Sequence, residues 1–513
     1  MLELKYPILL STVIVPFIVA AILPLIERKI NVKGLAALST TSLLYSLIII
    51  AYLMIYPGFS EGVIDPIYVD HPLIGRFTML LDGLSGPVAF GIALVTCFVS
   101  AYSVPYMRHR IEEMEKEGIH PPSWGAYYML YVMFSAAMLG TVLSTNLIEF
   151  YLFLELTLIP SFLLIAFYGY GDRIRIAILY LLWTHIGALV FLVGILALGL
   201  NLKIFDIYDP ATARFNLGLG EQLSQPLILP VALAIMIGLF VKMAIFGVHI
   251  WLPYAHAEAP TPVSALLSPN LIGIAGYAMV RILYTFFPET LGGISVYLIG
   301  LALLTMIYGG LMALAQDDFK RLLAYSSISQ MGYLLLGISS LTAMGISGAI
   351  LHYVSHAVGK AVLFMVAGTL IVQLHGLRSI SKMGGLAAKM PYTAALALIG
   401  FMHITGVPPS LGLWSEILIV IGAVNKALTS GSTMYISLLI GLLIAIGIST
   451  AYAFITMKRI FFGELSGKVK EAKEAGPGLV VPIAIIGAVG ILLFFYPGIM
   501  IDPLMKLITT IYG

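Results

Sequence analysis

The stretch PLILPVALAIMIGLFVKMAIFGVHIW (226–251) is long enough to cross a bilayer and carries one charge, Lys242, deep in its second half. A charged side chain at the bilayer centre costs about 3 kcal/mol unless it faces protein or water, so Lys242 marks a functional site. The stretch runs into WLPYAHAEAPTPVS (251–264), after which a second apolar segment reaches Arg281. The prolines there predict a membrane helix broken around Trp251–Pro260, a device that frees backbone groups only where they line a cavity.

The rest of the chain has the composition to surround such a site. Of 513 residues, 60% are hydrophobic and only 10% charged, and the mean hydropathy is +1.02. Soluble domains carry about 25% charged residues, so the expected fold class is an all-α polytopic membrane protein. A net charge of +2, with the basic residues spread over loops, offers no surface for nucleic acid. The single cysteine, Cys97, excludes an internal disulfide and any cysteine-ligated cluster or structural zinc. The first apolar stretch (7–26) lacks a basic leader and a cleavage site and reads as a retained span.

A span needs about 20 apolar residues. On that rule fourteen are predicted, at 7–26, 34–56, 77–104, 125–143, 146–169, 174–200, 226–250, 262–283, 292–314, 321–341, 345–373, 391–424, 433–460 and 478–500. Loops after odd-numbered spans hold eighteen basic residues, from Arg28 to Lys473, against six on the opposite side. The positive-inside rule then places a multi-pass protein in the cell membrane with both termini outside. The twelfth span is expected to break at HITGVPPSLG (403–412). The two breaks lie five spans apart, an odd offset, which suggests two inverted five-helix repeats, spans 4–8 and 9–13. The chain then divides into 1–120 (spans 1–3), 121–285 and 286–462 (the repeats), and 463–513 (span 14). The charged loop GELSGKVKEAKEAGPG (463–478) reads as solvated.

Ionisable residues inside the spans are Asp82, Glu149, Glu155, His185, Lys242, His249, His352, His356, Lys360, His403 and Glu416. Asp82 and Glu149 sit near span ends and read as interfacial or partner-contacting; His185 reads as packing. Glu155 and Lys242 make a natural pair, since together both can stay charged and an arriving proton can separate them. A lysine can load and release protons where an arginine could not. His352, His356 and Lys360 recur every four residues and share one helix face. HxxxH can bind zinc or haem, but no third ligand accompanies it and the lysine repels a cation, so a proton wire is the preferred reading. Glu416, after the second break, would end the row. His249, His256 and Glu258 flank the first break, as accessory proton groups or as partners for freed backbone.

The run VKMAIFGVHIWLPYAHAEAPTPVSALL (241–267) resembles the antiporter-like subunits of respiratory complex I, Mrp-type Na+/H+ antiporters and membrane-bound group 4 hydrogenases. AQDDFKRLLAYSSISQMGYLLLGI (315–338), LHYVSHAVGKAVLFMVAGTL (351–370) and GVPPSLGLWSEILI (406–419) extend the likeness over residues 120–460. The resemblance implies two fused half-channels joined by a polar axis along the membrane midplane. By motif match, Glu155 and Lys242 are the first pair, His352, His356 and Lys360 the eleventh-span group, and Glu416 the terminal group. A terminal glutamate, and a chain with no room for a long lateral helix after span 14, are similar to the M-type subunit of complex I. The eleventh-span lysine resembles archaeal hydrogenase and sulfane-reductase membrane arms.

One position departs from the pattern. Many relatives carry a lysine four residues before the tyrosine of GYAMVR (276–281), where this chain has Gly273. Water, with His256 or His403, is expected to replace it. The function so implied is proton translocation within a redox-driven complex. The chain itself does no redox chemistry and binds no cofactor, while iron–sulfur and nickel–iron centres are expected in partner subunits. The transported ion is H+, with Na+ as a further candidate. An Mrp-type Na+/H+ antiporter subunit is the alternative, and a solitary solute carrier is set aside.

Overall fold

A computed structural model describes residues 1–210 and 212–511. Fourteen of its helical segments are long and apolar enough to cross a membrane. Spans 1–4 are the helices α1 (Ile8–Ile26), α2 (Val32–Ile55), α3 (Ser85–Lys116) and α4 (Trp124–Leu143). Span 5 is α5 (Leu147–Leu156) followed by α6 (Leu158–Tyr168), and span 6 is α7 (Arg173–Leu202). Span 7 consists of α8 (Gln225–Met243) and, after seven residues, the short α9 (Trp251–Glu258). Span 8, wholly buried, runs through α10 (Thr261–Leu266) and α11 (Ile272–Ala278), with π-helical turns at Leu267–Leu271 and Met279–Tyr284. Such turns recur at functional sites. Spans 9–11 are α12 (Pro288–Leu314), α13 (Phe319–Ser339) and α14 (Ala343–Gln373). Pro391–Ile404 (α15) and Leu411–Ser430 (α16) follow, then α17 (Thr433–Phe461), α18 (Pro477–Phe495) and the closing α19 (Gly498–Ile511).

Two boundaries differ from expectation. Residues 77–84 belong to a loop and short strands, and α3 instead runs on to Lys116. The seventh-span break falls at 244–250, not at Trp251–Pro260, because WLPYAHAE is itself a helix. Pro253 sits in its first turn, where a missing N–H costs nothing, and Pro260 stops it by disfavouring helical backbone at Ala259. Ala244 (φ 56°) ends α8 in the left-handed region and Gly247 (φ 94°) turns the chain within the gap.

The α14 helix, buried from Gly345 to Ile371, is central to the molecule, packed against α13, α15, α16, α3 and α18. Both chain ends lie on one face. Leu2–Glu3 pair parallel with Val63–Ile64, which pair antiparallel with Leu80–Leu81, while Lys506 of α19 bonds Glu61. Asp65 in this layer accepts from the amides of Leu9 (3.0 Å) and Leu10 (2.7 Å), closing the start of α1. On the other face the loop 463–478 is more than solvated: Glu474 caps α15 by accepting from Tyr392 N (2.7 Å) and Thr393 Oγ1 (2.6 Å).

Candidate functional site

Lys242 is the penultimate residue of α8, immediately before the break, and is 3% exposed. It faces protein, and its Nζ has no hydrogen-bond partner among the described residues. The break around it is braced by side chains. Trp251 Nε1 donates to Val241 O (2.9 Å), Trp183 Nε1 to Val248 O (2.9 Å), and Phe246 N donates to Thr305 Oγ1 (3.3 Å). His249 accepts from Gly247 N at Nδ1 (3.2 Å) and meets Tyr308 OH at Nε2 (3.1 Å). His249 thereby satisfies one of the backbone groups that the break frees.

Glu155 stands near the end of α5, where the chain passes through Thr157 into α6. The expected contact with Lys242 is absent: no ion pair within 4.0 Å joins them. Glu155 Oε2 instead lies 2.8 Å from His185 Nδ1, while Oε1 is buried without a partner. His185 is thus not a packing residue. Gly187, two residues on, lets α7 close onto α8, since a Cβ there would stand 2.6 Å from Val241 Cβ. That approach brings His185 and Lys242 to the same region around Glu155. The Glu155–His185 pair opens onto a lateral cavity of about 600 Å³, otherwise lined by leucine and isoleucine.

Asp82 and Glu149 stand at the starts of α3 and α5, and both are buried against partners within the protein. Asp82 is buried in a two-pronged ion pair with Arg281 (2.6 and 2.7 Å), and Arg281 Nε also donates to Tyr277 OH (2.9 Å). Opposite charges within two apolar segments were the available signal for this pair. Glu149 is buried, accepting from Tyr68 OH and from Thr145 N (3.2 Å) at the start of α5.

The centre is built on α14. Lys360, fully buried, donates to Leu323 O (3.0 Å) and to Ser326 Oγ of α13. Beside them Ser268 of span 8 and Ser327 share a 2.6 Å hydrogen bond. His356 lies within the same buried layer, as does His256, whose ring stacks on Phe364 at 5.0 Å. Neither nitrogen of His256 has a partner among the described residues. Lys320, counted above as a loop residue, is also fully buried and donates to Ala259 O at the end of α9. A cation at a helix C-terminus is favourable there. Its position one residue into a helix after AQDD hid that burial from the sequence. Glu258 lies half-buried near the same end, where Tyr170 N donates to its carbonyl (2.8 Å).

The expected water at Gly273 finds no room at the side-chain position, because a Cβ there would stand 2.3 Å from Tyr353 Cδ2 of α14. Nor does His403 reach that point. Its Nδ1 lies 2.9 Å from Ile399 O and its Nε2 faces Gly490 of α18. Farther along, His352 Nδ1 contacts Ser415 Oγ (3.1 Å) and its ring stacks on Tyr333 at 5.2 Å. Ser415 precedes Glu416, which packs against Gly406 in the second break and leaves Oε1 buried without a partner. The ionisable side chains thus fall at three places: Glu155 and His185 by the seventh-span break that holds Lys242, Lys360 and His356 on α14 with His256 against Phe364 of that helix, and His352 and Glu416 on either side of Ser415. Among the described residues no group of three or more His, Cys, Asp or Glu side chains could hold a metal ion.

Residues 144–446 match the family described as NADH:quinone oxidoreductase/Mrp antiporter, TM. NADH-quinone oxidoreductase subunit M of Rickettsia prowazekii is 31% identical over 381 residues, 74% of each chain. F(420)H(2) dehydrogenase subunit M of Methanosarcina mazei is 32% identical over 448 residues, covering 85% of this chain and 83% of its own. A chain of respiratory complex I from Thermus thermophilus superposes with a TM-score of 0.82 at 26% identity, over 98% of this chain and 100% of its own. The membrane-bound sulfane sulfur reductase, an archaeal respiratory membrane complex, shares the fold at TM-score 0.80 and 21% identity, over 99% of this chain and 98% of that one. With more than half its length matched by the family and its full set of spans superposed, the chain belongs to the NADH:quinone oxidoreductase/Mrp antiporter membrane family.

Proposed function

We propose that this chain is the antiporter-like, proton-translocating membrane subunit of a redox-driven pump, at the position of the M subunits it is similar to. The observation that carries this reading is Lys242. It is a buried lysine at the end of a broken membrane helix, with no hydrogen-bond partner among the described residues and with Glu155 as its proposed carboxylate partner. An uncompensated buried cation is costly, and it persists where its charge is used.

Protons enter the first station at Glu155 and Lys242. They pass by Lys360, His356 and His256, then leave through His352 and Glu416. With the eighth-span position closed by Tyr353, Lys360 carries the central step, its ammonium held by Ser326 and Leu323 of the neighbouring helix. His249, Glu258 and His403 are accessory. Spans 4–8 and 9–13 act as two inverted half-channels, and both termini face outward, on the side opposite the basic loops. The chain binds no cofactor; iron–sulfur and nickel–iron or related centres reside in the partner subunits of a peripheral redox module.

The test is donor-driven acidification in membrane vesicles carrying the native complex. Lys242→Met and Glu155→Gln are expected to remove proton uptake while the complex still assembles. Undiminished uptake in both would overturn the reading.

A further inference from the structure

We infer that His185 is the alternative partner of Glu155, so that exchange of one carboxylate between His185 and Lys242 opens and closes the first station. The inference rests on the proposed roles of Glu155 and Lys242 and adds the group that takes the carboxylate when that pair is apart.

Three observations carry it. Glu155 Oε2 is held by His185 Nδ1 at 2.8 Å. The second oxygen, Oε1, and the Lys242 ammonium are both buried without partners among the described residues. A buried acceptor and a buried cation left unsatisfied in the same region mark an arrangement whose other state satisfies them. Glutamate has three rotatable side-chain bonds about which its carboxylate can turn from one partner to another.

The two partners differ in access. Lys242 is sealed inside, whereas the His185 side chain is 45% exposed and lines the lateral cavity of about 600 Å³ with Leu181, Leu182 and Ile159. Protonated at both nitrogens, His185 holds the carboxylate as an ion pair. When His185 gives one proton to water in the lateral cavity, the ion pair is reduced to a hydrogen bond from a neutral ring, and the Glu155 carboxylate turns to the Lys242 ammonium. The water carries that proton away, and the carboxylate stays charged throughout. The titratable groups facing the pair from the helices around it are Tyr151 of α5, Tyr180 of α7 and Lys242 of α8. Tyr180 OH is engaged with Ser161 Oγ at 2.8 Å. Both tyrosines keep their proton near neutrality, so His185 and Lys242 are the groups at Glu155 able to carry a positive charge.

A structural role for His185 would need only a hydrogen-bond donor, and glutamine supplies one. In the assembled native complex, His185→Gln is expected to slow donor-driven proton uptake about tenfold or more, as losing a proton-transferring group does. Redox-induced infrared difference spectra should also lose the carboxylate signal that Glu155→Gln identifies. Wild-type uptake with an unchanged spectrum in His185→Gln overturns the inference. Lys242→Met in parallel separates the failures: normal uptake there refutes the underlying reading, while its loss beside normal His185→Gln refutes only the role of His185.

Discussion

The Tyr353 ring of α14 occupies the space a side chain at Gly273 would need, with a Cβ–Cδ2 separation of 2.3 Å. Both residues are fully buried, and Tyr353 OH donates to Asn270 O at 3.4 Å, so the ring is tethered to span 8 itself. Introducing a lysine at this position, Gly273→Lys, is therefore expected to prevent assembly. Gly273→Ala should cost about 1–3 kcal/mol of stability by overpacking. Thermal unfolding of the purified complex measures the second; a Gly273→Ala protein as stable as wild type would show that the ring yields.

The Asp82–Arg281 pair links the start of span 3 to the end of span 8. Each side chain is at most 2% exposed, so removing one leaves the other buried and uncompensated. Asp82→Ala or Arg281→Ala should each destabilise by about 3–5 kcal/mol, with Asp82→Ala/Arg281→Met much less damaging than either alone. Denaturation of the single and double variants gives the coupling, and additive losses would refute a direct pair.

Gly406 has φ of +63°, and a Cβ there would fall 2.5 Å from Glu416 Oε2. Gly406→Ala thus meets both an unfavourable backbone region and the carboxylate proposed to end the pathway. We expect about 1–2 kcal/mol lost in stability, with a larger fall in proton uptake than in electron transfer. Equal losses of both activities would indicate general damage instead of displacement of Glu416.

How far this architecture could be read beforehand depends on which interactions are local. Fourteen spans were legible because hydrocarbon thickness fixes their length and composition. Lys242 was legible because a lone charge in an apolar run has few explanations. The bond from Glu155 to His185 was not, since thirty residues separate them and nothing in α7 singles out that histidine. Lys320 was misplaced for the opposite reason: its neighbours Gln316, Asp317 and Asp318 look like a surface loop, yet its side chain turns inward to the α9 carbonyl. The closure of Gly273 depends on the depth at which α14 packs, which no pattern in span 8 records.

Asp65 provides a pH-dependent reading of the layer that holds the N-terminal strand. It lies between α2 and α3, is 4% exposed, and caps α1 through the amides of Leu9 and Leu10. Burial pushes its carboxyl from 3.8 up to about 6, against the hydrogen bonds from Leu10, Leu9 and Ile8, which lower it. The folded protein therefore binds this proton more tightly than the unfolded chain does. The stabilisation is full below the unfolded value near pH 4 and is lost as pH rises through about 6. Asp65→Asn cannot ionise, so its stability relative to wild type should rise across that window, by on the order of 1–3 kcal/mol. Because asparagine offers one acceptor oxygen to two amides, the variant should be the less stable of the two at pH 4. Melting temperatures of both proteins at pH 4, 5, 6 and 7 decide the matter. A constant difference across the series would mean that Asp65 titrates in the folded protein as it does in the unfolded chain.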